Sequence, residues 1–189
     1  MRFWGTTNPH NTVDAPKSRE KVTVWAGIGD FGLIGPYFFE DDSGSAETVK
    51  TEKYLKMMRT WFIPQLKIKR IFKDVVFQED GASSHCSKEA IEWLTSQFTS
   101  DRLILRNLSF KRPPYSSDLN PCDCFLWGYL KSKVYSPYPS TTEELKKNVR
   151  REFKKISKET IGKVVENFAA RAQLVISKKG GWLEQIFNN

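Results

Sequence analysis

The sequence predicts an α/β fold: an antiparallel hairpin at one edge, then helix, strand, helix and strand, then a closing run of helices. Three observations carry this. Val22-Thr23-Val24-Trp25-Ala26-Gly27-Ile28 alternates and is β-branched, and Gly29-Asp30-Phe31-Gly32 is a turn into a return strand from Leu33 to Phe39. Two short apolar runs, Asp74 to Gln78 and Leu103-Ile104-Leu105, flank a segment with helical periodicity. Downstream, apolar residues recur only at helical spacing.

In chain order, residues 1–20 are rich in Asn, Thr and Pro and read as loop, and Asp41 to Ser45 is a polar break. Thr51 is expected to cap a helix with Leu55, Met58 and Phe62 on one face, kinked or ended by Pro64. Asp74 to Gln78 suits a buried central strand. Ser84 or Ser87 can cap the next helix, whose apolar face is Ala90 or Ile91, Leu94 and Phe98. A helix is expected from about Asn120 to Lys133. Thr141 and Glu144 form a capping box opening a helix with Leu145, Val149 and Phe153 inward. A last helix carries Ile161, Val164 or Val165, Phe168, Ala172 and Val175 and ends at Gly180-Gly181. Residues 1–189 read as one domain, with its C-terminal helices from about 141.

The composition, 39% hydrophobic and 13% aromatic, supports a real core. Thirty Lys+Arg against 22 Asp+Glu give a net charge of +8, which points to a polyanionic partner, nucleic acid first, or to a solvated basic surface. No apolar stretch approaches a membrane span and the N-terminus is not signal-like, so the expectation is a soluble intracellular chain without a membrane partner. Cys86, Cys122 and Cys124 are too few for a disulfide framework and lack zinc spacing; they read as buried thiols in a reducing compartment. Trp25, Trp61, Trp93 and Trp127 fall at core-like positions.

Two blocks carry the chemistry: Val75 to His85 and Arg112 to Gly128. Asp80 closes an apolar strand before Gly81, on the edge where open α/β sheets bind ligands, though Asp-Gly also simply begins turns. Asp123 follows Pro121 in the first turns of a helix, where the dipole favours an acid, and shares a face with Trp127 and Leu130 by i+4 and i+7 spacing, toward the sheet. The other reading of Asp123 is a dipole-favoured surface acid. Asp118 reads as an N-cap. Two carboxylates presented this way can share a hard divalent cation, and paired cations clamp the oxygens of a phosphodiester. Glu79 is expected to point to the opposite face from Asp80. Lys67, Lys69, Arg70 and Lys73, and Lys146, Lys147, Arg150, Arg151, Lys154 and Lys155, can track a DNA backbone or form solvated helix faces.

With these residues in view, the chain resembles the catalytic domain of mariner-like transposases, of the DDE/DDD superfamily. The resemblance rests on Val22-Thr23-Val24-Trp25-Ala26, on Gly32 to Phe39, on Gln78-Glu79-Asp80-Gly81-Ala82 with His85, and on Pro113 to Asp123 with Phe125-Leu126-Trp127-Gly128. It implies a ribonuclease-H-like mixed sheet flanked by helices, and cut-and-paste DNA transposition in the nucleus. It also implies Mg²⁺ or Mn²⁺ in a two-metal site, DNA as partner, a possible homodimer and no small-molecule cofactor. Asp80 and Asp123 match the second and third catalytic, metal-binding acids, 43 positions apart, which implies an extra loop around Thr99 to Lys111. Lys67, Lys69, Arg70, His85, Lys146 and Arg150 are the candidate DNA contacts.

The first acid of the resembled family lies on a central strand upstream of the segment matched by Arg2-Phe3-Trp4-Gly5. Asp14, Asp30, Asp41, Asp42 and Glu79 do not replace it. The expectation is therefore an N-terminally truncated domain without its first central strand, inactive alone and marginal in stability. The alternative is a domesticated nucleic-acid-binding module.

Overall fold

The computed structural model describes residues 20–105 and 116–180. Asp14, residues 106–111 of the expected extra loop, the stretch from Arg112 to Tyr115, and Gly181 lie outside them. The hairpin forms as the alternation predicts: β1 (Thr23–Gly29) runs antiparallel to β2 (Gly32–Phe39) around Asp30-Phe31. Trp25 pairs with Tyr37 and Gly27 with Ile34, so Gly35 and Pro36 together oppose Ala26. This bulge puts Ile34 and Tyr37 on the same face, although three positions apart they would alternate in a regular strand. It requires Gly35, at φ +124°, where a Cβ would lie 3.1 Å from the Trp25 carbonyl oxygen. Pro36 needs no ladder donor there.

The hairpin separates two apolar clusters. Trp25, Ile34, Tyr37 and Phe39 face one built on Tyr54, Leu55, Met58, Phe62 and Leu66. Ala26, Leu33 and Phe38 face another built on Leu126, Leu130, Leu145, Val149 and Phe153. Trp25 crosses Trp61 and Phe62 edge-on at 6.0 and 4.8 Å, so the expected core role of the tryptophans holds for this pair.

The first helical stretch runs as α1 (Thr51–Met57), a π turn (Met58–Phe62) and α2 (Ile63–Ile68). Its N-cap is Lys50, without a side-chain cap, so Thr51 is the first helical residue rather than the cap. Pro64 does not end the helix. It has no N–H to give the preceding turn, and the chain widens just before it: Ile63 N–H reaches back five residues to Met58.

The strands after the hairpin are shorter than the sequence suggests. β3 (Phe77–Gln78) lies parallel to β4 (Leu103–Ile104), and Val76 is 56% exposed. Val75 N–H is taken by Ile71 O at 3.1 Å, which holds the strand's approach in a turn. Between them, Ser87 Oγ caps α3 (Lys88–Gln97), which buries Ala90 and Leu94, with Phe98 buried just beyond its end.

α4 (Trp127–Val134) follows a second π turn (Cys122–Leu126). α5 (Thr142–Lys155) opens on the expected cap, with Thr141 Oγ1 accepting from Glu144 N–H and Glu144 accepting from Ser140 N–H. α6 (Lys158–Ser177) is capped by Ser157 and buries only Ile161 fully; it ends as Gly180, at φ +87°, donates to Val175 O. Among the described residues β1 pairs only with β2, and β3 only with β4, so a mixed α/β architecture holds two small sheets.

Candidate metal centre

β3 stops at Gln78, and the two acids of the first block sit just past its end. Asp80 Oδ1 accepts from Ala82 N–H at 3.0 Å, and Ala82 O accepts from His85 and Cys86 N–H at 3.0 and 3.1 Å. This double turn folds His85 back onto the acids. Its Nδ1 lies 2.6 Å from Glu79 Oε2 and 2.7 Å from Asp80 Oδ1. Tyr54 O–H donates to the other Glu79 oxygen at 2.5 Å, and the phenol and imidazole ring centres are 4.4 Å apart.

Glu79 therefore does not point away from Asp80 as the alternation implied. The pleat ends one residue earlier, and the turn lets both carboxylates reach one nitrogen. The two acids differ in depth: side-chain exposure is 5% for Glu79 and 43% for Asp80. Gly81 keeps no positive φ, and a Cβ there would meet nothing within 4 Å, so its contribution is open space beside Asp80 rather than a sharp turn.

Burial alone would push the His85 imidazole down. The negative charge of Glu79 and hydrogen bonds to Asp80 and Glu79 overcome it and raise the group to about 10. The ring is an imidazolium near neutral pH, with one Nδ1–H shared between two carboxylates. Burial first, and the Glu79 charge next, hold the Tyr54 phenol well above its ordinary range, so it stays a donor.

The second block reaches the same place by another route. Gln78 Nε2 donates to Leu119 O at 2.9 Å, tying β3 to the turn before Pro121. Asn120 Oδ1 accepts from Cys122 N–H at 3.0 Å, so Asn120 does the capping expected of Asp118, which lies in a short 3₁₀ turn. Cys122 Sγ donates to Ala26 O of β1 at 3.7 Å. Its thiol is pushed up to about 12, by burial first and then by Asp123, Glu79 and Asp80 together. Cys122 thus feels all three carboxylates.

Asp123 itself is exposed, and Asn120 Nδ2 donates to its Oδ2 at 3.0 Å. The expected face with Trp127 and Leu130 is lost because the π turn adds a residue per turn, so Leu126, Leu130 and Val134 form the buried stripe instead. Cys124 is exposed as well, against the expectation of a buried thiol.

Glu79, Asp80 and His85 each offer one ligand atom, all within 4.8 Å of one another. The carboxylate oxygens suit a hard cation such as Mg²⁺ or Mn²⁺. His85 Nδ1 does not, while its proton is held there; it serves as the positive charge between the acids.

Lys67, Lys69, Arg70 and Lys73 are exposed around the end of α2, where Arg70 takes φ +60°. Arg150 is exposed with its guanidinium 4.7 Å above the Phe38 ring. Lys146 is otherwise engaged: it is buried, and its ammonium pairs with Glu40, with Glu143 at 2.7 Å and with Gly44 O at 3.1 Å. Those three contacts use its three donors, so Lys146 closes the Asp41–Ser45 turn onto α5. The sequence reading missed Tyr54 and turned Glu79 away from the site that it joins. A signal existed for Tyr54, which falls on the Leu55–Met58 face and whose hydroxyl needs a partner when buried.

No protein-family model and no curated protein matches the sequence. Solved structures do match in fold. A Mos1 transposase paired-end complex with the left transposon end superposes with a TM-score of 0.73 at 19% identity, covering 97% of this chain and 52% of that one. The crystal structure of the catalytic domain of Mos1 mariner transposase gives 0.61 at 20% identity, covering 82% and 72%. That catalytic domain with raltegravir and Mg gives 0.61 at 19%, covering 82% and 73%. The chain has the fold of a mariner transposase catalytic domain, and spans about half the length of the chain in the DNA complex.

Proposed function

We propose that this chain, which has the fold of a mariner transposase catalytic domain, is a fragment of a cut-and-paste DNA transposase catalytic domain that binds metal and DNA but does not cleave on its own. The observation that carries the reading is the joining of the two acidic blocks: the Gln78–Leu119 hydrogen bond and Cys122, which is influenced by Glu79, Asp80 and Asp123 together. Asp80 and Asp123 are the catalytic metal ligands in this reading, and Mg²⁺ or Mn²⁺ is the cation, as in the Mos1 structures that carry Mg and Mn. The metal would neutralise phosphate and acids and polarise the phosphodiester. The chain's own part is to hold the carboxylates, with Glu79 fixed by Tyr54 and His85.

The sheet is read as ribonuclease-H-like, with a first central strand missing between β1 and β3 and residues 1–189 as one partial domain. A strand bearing a further acid would complete the set, and without it turnover is not expected. DNA would run past Lys67, Lys69, Arg70 and Arg150, in the nucleus, on a possible homodimer like the paired-end complexes. The alternative, a domesticated binding module without catalysis, is favoured only if metal has no effect.

Plasmid nicking with Mg²⁺ or Mn²⁺, beside gel shifts over a salt series, tests this. The reading expects salt-sensitive shifts and no nicking. Nicking abolished by Asp80→Asn would show a competent nuclease, and absence of any shift at low salt would remove the DNA assignment.

A further inference from the structure

α4 has a cavity on either side. Trp127 lines the cleft between β1 and β3 that holds Glu79 and Asp80. Tyr129, Ser132, Lys133 and Ser136 line a second cavity of about 530 Å³, together with Arg151, Glu152 and Lys155 of α5. At about 3.6 residues per turn, positions 129, 132 and 133 lie roughly opposite Trp127 on the helix. On α5, Arg151, Glu152 and Lys155 share a face that turns away from Lys146 and Arg150. The second cavity is therefore separate from the metal centre and from the basic face beside Phe38.

Its charges select the ligand. Three cations, Lys133, Arg151 and Lys155, meet one carboxylate, Glu152. The Glu152 side chain is buried and already shared: its Oε1 accepts from Arg151 Nε and Lys155 Nζ, each at 2.9 Å. That pairing orders two long side chains in advance and lowers the entropy lost on binding. The terminal guanidinium nitrogens of Arg151, the Lys133 ammonium and the Tyr129 and Ser136 hydroxyls have no partner among the described residues. The carbonyls that would repel an anion at the end of α4 are taken. Lys133 O accepts from Ser136 N–H at 3.3 Å and Val134 O from Asn148 Nδ2 at 3.1 Å. Open donors with excess positive charge suit a phosphate group, which accepts several charge-assisted hydrogen bonds at once. The cavity is larger than one phosphate needs, so the phosphate can arrive on a larger molecule.

We propose that the cavity between α4 and α5 is an anion site that takes the phosphate group of a phosphorylated ligand, with Lys133 and Arg151 as its charged contacts and Tyr129 and Ser136 as further donors. The phosphate is carried by a nucleic-acid backbone or by a free phosphorylated small molecule. The site uses no residue of the metal centre, so cleavage and Mn²⁺ binding leave it standing or falling by itself.

The test is calorimetric titration of the full chain with inorganic pyrophosphate in metal-free buffer at low salt, beside anisotropy of a labelled DNA duplex over a salt series. Pyrophosphate should bind saturably, one to one. Lys133→Ala breaks no ion pair, and should weaken pyrophosphate binding at least about tenfold while circular dichroism stays unchanged. Lys69→Ala should leave pyrophosphate binding unchanged. The duplex identifies the source. A salt slope lowered by about one counterion in Lys133→Ala assigns the phosphate to a nucleic-acid backbone. An unchanged slope, with pyrophosphate binding lost, assigns it to a free phosphorylated ligand. Absence of saturable pyrophosphate binding, wild-type affinity in Lys133→Ala, or an equal loss in Lys69→Ala would overturn the proposal.

Discussion

The two acidic blocks meet in one cleft but are held in opposite ways. Glu79 and Asp80 sit past a strand end, drawn inward by a cation, His85, and a phenol, Tyr54. Asp123 sits on a π turn, exposed, with Asn120 as a hydrogen-bond partner. The first block is part of the folded core and the second is its adjustable rim. Removing the buried Glu79 charge should destabilise the protein; removing the Asp123 charge should change only what it binds.

The sharpest way to break that contrast is Glu79→Gln. It removes a buried charge while His85 stays beside it, and should cost about 3 kcal/mol in urea unfolding. Asp123→Asn should change stability by less than about 0.5 kcal/mol. Equal costs for the two would erase the distinction.

The pH dependence follows from His85, which is raised to about 10 from an ordinary 6.5. Its stabilising contribution is complete below pH 6.5 and is lost as pH rises toward 10. Melting temperature should therefore fall across that window in the wild type, and His85→Gln should flatten the fall.

Cutting the tie between blocks is a smaller perturbation. Gln78→Ala should cost about 1 kcal/mol by removing one partly buried hydrogen bond. It should also weaken metal binding if the blocks act together. Smallest is a charge comparison on DNA. Lys69→Ala should lower the slope of log affinity against log salt by about one counterion, whereas Lys146→Ala should leave that slope unchanged and lower stability, because Lys146 is committed to Glu40, Glu143 and Gly44.

Much of this was legible in the residues. Alternation gave the hairpin, and Thr141 with Glu144 gave the start of α5, because each signal is local. What was not legible came from places where the backbone leaves its ideal period. The strand ends at Gln78 rather than running through Asp80, so Glu79 turns inward. π turns at Met58–Phe62 and Cys122–Leu126 carry the helix past Pro64 and rotate Asp123 out of the Leu130 stripe. Lys146 looked like one more surface cation in a basic helix, and only the turn at Gly44, 102 positions away, gives it a buried role.

The account rests on one cation shared by both blocks, and a Mn²⁺ titration followed by electron paramagnetic resonance tests this most directly. Wild-type chain should bind Mn²⁺ saturably, with affinity reduced at least about tenfold, near 1.4 kcal/mol, in both Asp80→Asn and Asp123→Asn. Wild-type affinity in Asp123→Asn would contradict it and leave Asp123 a surface acid beside a one-block site.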